Sequence, residues 1–142
     1  KRISNPGCYA CAAISILHPL IKSGLIFKED PVTINAVSGY TGGGKKLISE
    51  FENTTMDNNS NKAFYHYALY LEHKHIEEIR LHSGLTRRPI FVPSVGRFAL
   101  GMIVSVPLHL WAQSSKPKPA DIYNVLSDHY AGQRFVVVVL SE

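Results

Sequence analysis

Long apolar runs are scarce in this sequence. The most strongly apolar, "FVVVVL" over residues 135–140, falls far short of the roughly 20 residues that a membrane-spanning helix needs. It reads as a buried strand. Nothing at the N-terminus resembles a signal peptide, so the expectations are no membrane partner and a cytoplasmic setting. Cysteine is equally rare. Two residues, Cys8 and Cys11, cannot build a disulfide framework, and without a third cysteine a structural zinc site lacks its usual ligands. Charge is thin at 18% of residues, and the formal excess of +4 is scattered along the chain instead of clustered on one periodic face. Charge therefore gives little support to a nucleic-acid partner.

What is present is 142 residues with 45% apolar content, enough for one packed domain. The chain opens on Lys1 and stops soon after the apolar run, as a piece of a longer protein would. From Tyr9 onward, Ala13, Ile16, Leu17 and Leu20 follow helical spacing up to Gly24, with Pro19 expected to kink the helix or end it near Leu17. "PVTINAVSG" has strand composition and leads into the glycines Gly42, Gly43 and Gly44, read as a loop. The polar stretch "ENTTMDNNSN" reads as an exposed loop. "AFYHYALYL" is aromatic enough to be extended, and "HIEEIRLHSG" is a short helix ending at Gly84. "RRPIFVPSVGRF" is broken by prolines and Gly96, "GMIVSVPLHL" alternates like a strand, and "PKPADIYNVLSDHYAG" starts a helix near Pro119 and leaves it by Gly132. Strands outnumber helices without alternating with them, so an α+β fold is expected, with a mixed sheet and helices on one face.

Three clusters could carry chemistry. Cys8 follows Pro6 and Gly7, which force a turn and leave room beside the sulfur, and the first-turn amides of the helix behind it favour a thiolate. That makes Cys8 a candidate nucleophile. Cys11, three residues on, completes a Cys-x-x-Cys spacing that a dithiol oxidoreductase would use, yet it reads more simply as a small residue packed into the helix. A nucleophilic cysteine wants a base, and "EHKH" supplies His73 and His75. The third cluster, "SGYTGGGKK", nearly forms a phosphate loop from Gly39 through Gly44 and Lys45. It fails at Lys46, where a hydroxyl should bind magnesium. What survives is a glycine-rich turn whose amides could cradle an anion beside Lys45, against the plainer alternative of a flexible glycine hairpin.

Read together and in order, "SNPGCYACA", "INAVSGYTGGGK", "HKHIEE" and "RRPIFVPSVGRF" resemble the N-acetyl-γ-glutamyl-phosphate reductases of arginine biosynthesis, in their shorter bacterial form. The likeness runs through nearly the whole chain. It departs at Cys11, where threonine is usual, at Ala10, where proline is common, and at Glu77, where many members have proline. The resemblance implies one catalytic and dimerisation domain over residues 1–142, similar to those of glyceraldehyde-3-phosphate and aspartate-semialdehyde dehydrogenases. Its sheet would be mixed and largely antiparallel. The NADP-binding Rossmann domain of the family is expected to lie outside this chain, because the spaced-glycine fingerprint after a strand is absent. By the same resemblance Cys8 would be the nucleophile that forms a thioester, and His73 the acid/base. Ser38, Gly39, Tyr67 and His75 would lie near N-acetyl-γ-glutamyl phosphate, and Lys45 is added from the glycine turn. NADP(H) is the implied cofactor, no metal is expected, and a homodimer or homotetramer would form through this domain. Two other readings stand beside it: a dimerisation module with no activity of its own, and a Cys-x-x-Cys thiol oxidoreductase.

Overall fold

A computed structural model describes residues 2–52, 62–113 and 115–140. In chain order the elements are α1 (Cys8–Lys22), β1 (Thr33–Gly39), a 3-10 turn (Tyr40–Gly43), α2 (Gly44–Glu52), β2 (Phe64–His66), α3 (His75–Ser83), β3 (Ile90–Gly96), β4 (Met102–Ser105), a second 3-10 turn (Leu110–Ala112) and α4 (Pro119–His129). β1 and β3 lie side by side and parallel at the centre, Ile34 against Phe91 and Ser38 against Val95. β4 pairs antiparallel with β1, and β2 antiparallel with β3, giving the order β2-β3-β1-β4. A parallel pair needs a long crossover, and this one carries α2, β2 and α3. The sheet is therefore mixed, with one parallel contact and two antiparallel ones, in the α+β layout expected from the sequence.

Because strand side chains alternate, Ile34 and Ala36 of β1 share a face with Phe91 of β3, and α1 and α3 cover that face. Tyr9, Ala10, Ala13 and Leu17 come down from α1, and Ile76 and Ile79 from α3. Leu17, Ile34, Ile76, Ile79 and Phe91 lose nearly all contact with solvent, worth about 1.5–3 kcal/mol for each such side chain. The opposite face, with Asn35, Val37, Phe64 and Ile103, carries no helix among the described residues.

Four expectations are corrected. Pro19 does not end α1, which continues to Lys22 with the proline ring buried. The amide that proline lacks would have bonded the Ser15 carbonyl, and the Tyr130 hydroxyl donates to that oxygen instead at 2.7 Å. Cys11 is exposed, not packed into the core, because it falls on the outward side of α1. The glycine segment is no loose loop. After the 3-10 turn it starts α2, because Leu47 and Phe51, one turn apart, form an inward stripe and the buried Phe51 ring stacks on Tyr40 at 5.0 Å. Residues 135–140 form no strand, and Phe135 and Val137 are 88% and 81% exposed. Their β-branched composition fits a strand, but a strand needs a ladder partner, and neither edge of the sheet receives them. Of the expected loop over residues 52–61, Glu52 closes α2 and the remainder lies outside the described residues.

Candidate active site

Cys8 is the first residue of α1, and its thiol is exposed. Gly7 ahead of it is extended (φ −67°, ψ 136°), a conformation open to any residue, and contributes no capping side chain to the first-turn amides. Glycine is needed there for space. A β-carbon at position 7 would run into the His75 ring and the Glu78 carboxylate. Glu78 Oε1 also accepts the Gly7 N–H at 2.9 Å, so α3 grips the turn that presents the sulfur.

The connection from β2 to α3 brings the remaining candidates. Ala68 and Leu71 adopt left-handed φ angles of 51° and 58°. Arg88 holds that bend, binding both oxygens of Glu72 at 3.1 and 3.0 Å and donating to the Leu71 carbonyl at 3.3 Å. Tyr67 precedes the bend and His73 follows it. The His75 backbone N–H donates to His73 Nδ1 at 3.1 Å, which leaves the ring proton of neutral His73 on Nε2. Burial lowers the pKa of His73, helped by the neighbouring charges of His75 and Lys74. His75 is also lowered, by burial first and by Lys74, with Glu78 pulling the other way. Its Nδ1 is buried and finds no hydrogen-bond partner among the described residues.

Beside Cys8 opens a cleft of about 320 Å³, lined on the sheet side by Tyr9, Ser38, Tyr65, Tyr67 and Val95 and on the other by Gly42, Gly43, Lys46, Leu47 and Glu50. The Tyr9 hydroxyl lies 2.8 Å from Ser38 Oγ, 3.2 Å from the Ser94 carbonyl oxygen and 3.4 Å from the Tyr67 hydroxyl. Tyr67 has its pKa pushed well up, by burial first and then by the Tyr9 hydroxyl and the Cys8 sulfur. It stays protonated at any physiological pH and can act as a donor beside the thiol.

Of the residues singled out from sequence, Cys8, Ser38 and Tyr67 share the cleft. His73 and His75 stand off its wall, packed edge-on against the Tyr9 ring with centroids 6.2 and 5.9 Å away. Gly39 faces the backbone of Phe98 and Ala99, where a β-carbon would not fit, and Lys45 does not line the cleft. Sequence reasoning missed Tyr9, Lys46, Glu50, Tyr65 and Glu78. Tyr9 carried the one usable signal, a phenol on the buried stripe of a helix, where its hydroxyl must find a partner. Among the described residues, no group of three or more His, Cys, Asp or Glu side chains could hold a metal ion. No helix among them is long and apolar enough to cross a membrane.

A helix-presented thiol over a mixed sheet, with a histidine-bearing loop beside it, agrees with the family model that matches residues 8–142, described as semialdehyde dehydrogenase, dimerisation domain. The chain belongs to that family. Among curated proteins it is 49% identical over 138 residues to an N-acetyl-γ-glutamyl-phosphate reductase of Brucella anthropi, covering 97% of this chain and 44% of that protein. It is 50% identical over 139 residues to proteins of the same name from Brucella ovis and Brucella canis, covering 98% of this chain and 45% of each. The chain thus spans a little under half the length of the curated relatives it matches.

Proposed function

We propose that this chain is the catalytic and dimerisation domain of an N-acetyl-γ-glutamyl-phosphate reductase, which reduces the acyl phosphate to N-acetylglutamate semialdehyde with release of phosphate. The single observation that carries the reading is the exposed Cys8 thiol at the start of α1, opening onto a cleft with Ser38 and Tyr67. That geometry suits a nucleophile of acyl transfer. The Cys8 thiolate attacks the γ-carbonyl carbon, the bond from that carbon to the phosphate oxygen breaks, and phosphate departs with the electron pair. A thioester remains on Cys8, and its carbonyl accepts hydride where a carboxylate would not.

Negative charge gathers on the carbonyl oxygen during attack. Donors beside Cys8 stabilise it, and Tyr67 is held protonated for that role by its burial. His73 is the acid/base group. Burial keeps it neutral near pH 7, and with Nδ1 occupied by the His75 amide its Nε2–H is the donor. Ser38 bears on the substrate from the cleft floor, while Gly39 and His75 shape the surrounding packing. The chain's own residues do not fit a nicotinamide dinucleotide. The turn after β1 lacks the spaced-glycine fingerprint, and a cleft of about 320 Å³ is at the low end of the roughly 300–1,000 Å³ of small-molecule sites. NADPH accordingly belongs to a nucleotide-binding domain outside these 142 residues. A second copy of the chain covers the open face of the sheet, and the protein works in the cytoplasm.

The test is to mix the chain with N-acetyl-γ-glutamyl phosphate and follow intact mass and free phosphate. One acyl group should appear on Cys8, labile to hydroxylamine, with one phosphate released, and Cys8→Ala should show neither. Acylation confined to Cys11, or none at all on a folded chain, would defeat the proposal.

A further inference from the structure

Lys46 is the residue at which the glycine segment departs from a phosphate loop, and its position in the structure gives the departure a use. It lies on α2 with its side chain on the Cys8 cleft, the only lysine or arginine among the lining residues. Lys45, its neighbour in sequence, is turned about 100° around the helix and does not line the cleft. No described carboxylate pairs with Lys46 within 4 Å. Gly42 and Gly43 beside it keep that wall bare, and a β-carbon at Gly43 would displace the Leu47 side chain, itself part of the wall. Burial lowers the pKa of the two histidines nearest the site, so Lys46 supplies the cleft's positive charge, with Glu50, one turn further along α2, as the carboxylate among the lining residues.

Resting on the acyl-phosphate reading above, we infer that Lys46 anchors an anionic group of the substrate, carboxylate or phosphate, and so sets which acyl compounds reach Cys8. An ammonium acts as a point charge that both oxyanions satisfy, without the planar fork that would favour one of them. Lining the same small cleft as Cys8, it fixes one end of the substrate while the sulfur addresses the carbonyl.

The experiment uses the chain with Cys11→Ser, so that a single thiol is read. Cys8 is alkylated with iodoacetate and with iodoacetamide, which react alike and differ in charge. Lys46→Gln should lower the ratio of the iodoacetate rate to the iodoacetamide rate by about three- to tenfold. The iodoacetamide rate is the reference that absorbs any change in the thiol's own reactivity, and Lys45→Gln should leave the ratio near its starting value. N-acetylglutamate and inorganic phosphate are then compared as protectants against iodoacetamide. The one whose protection is lost in Lys46→Gln identifies the anchored group as carboxylate or phosphate. An unchanged ratio with Cys8 still reacting, or an equal fall in Lys45→Gln, overturns this inference alone. A Cys8 that reacts with neither reagent overturns the acyl-transfer reading and this inference with it.

Discussion

Burial opposes the charged forms of His73 and His75, and stability should report it. Both folded pKa values lie below the ordinary 6.5, so between those values and 6.5 the unfolded chain binds more protons than the folded one. The contribution is complete above about pH 6.5 and is lost as pH falls through the folded values. Urea midpoints measured at pH 7.5 and pH 5 should drop at the lower pH, and the drop should shrink in His73→Gln and in His75→Gln. An equal drop in all three proteins would mean that neither imidazole is shielded as described. At this scale the sequence made Cys8 legible, because a tight turn before a helical period is a local pattern. It did not reveal that Lys46 and not Lys45 lines the cleft, since that depends on where α2 begins. Glu78 was hidden for a similar reason: its bond to Gly7 spans 71 residues, and no local pattern encodes it.

Most elements were readable from periodicity and punctuation. The exit of α3 at Gly84, with its φ of 93°, and the entry of α4 at Pro119 are examples where chain geometry leaves little choice. α1 was misjudged at one point because the remedy for Pro19 comes from far along the chain, in the hydroxyl of Tyr130. A double-mutant cycle tests that account. Tyr130→Phe should destabilise the native chain by about 0.5–1 kcal/mol, the usual net worth of one hydrogen bond. In a Pro19→Ala background the same change should cost clearly less, since the backbone amide restored by that substitution can then serve the Ser15 carbonyl. Additive costs in chemical denaturation would show that the hydroxyl and the proline are unrelated.

For the whole molecule, the pattern of strands and helices anticipated the α+β layering and the one-sided helices, while periodicity alone could not supply strand order. The parallel β1–β3 pair joins segments more than fifty residues apart, and neither segment advertises the other. A dimerisation domain with helices on one face of its sheet has the other face available to a partner, and Ile103 on it is 67% exposed. Pairing through that face predicts that Ile103→Asp lowers the oligomeric mass seen by light scattering, with the Cys8 alkylation rate retained. An unchanged oligomer would place the interface elsewhere. Residues 135–140 add a separate liability. An uncovered, proline-free stretch of β-branched residues is a template on which identical stretches can stack. Apart from dilution, what opposes that stacking is mutual repulsion from a formal +4, and added salt shortens its reach from about 30 Å at 0.01 M to about 8 Å at 0.15 M. Solutions of this chain should therefore cloud sooner as salt is raised, the opposite of what aggregates bridged by ion pairs between molecules would do.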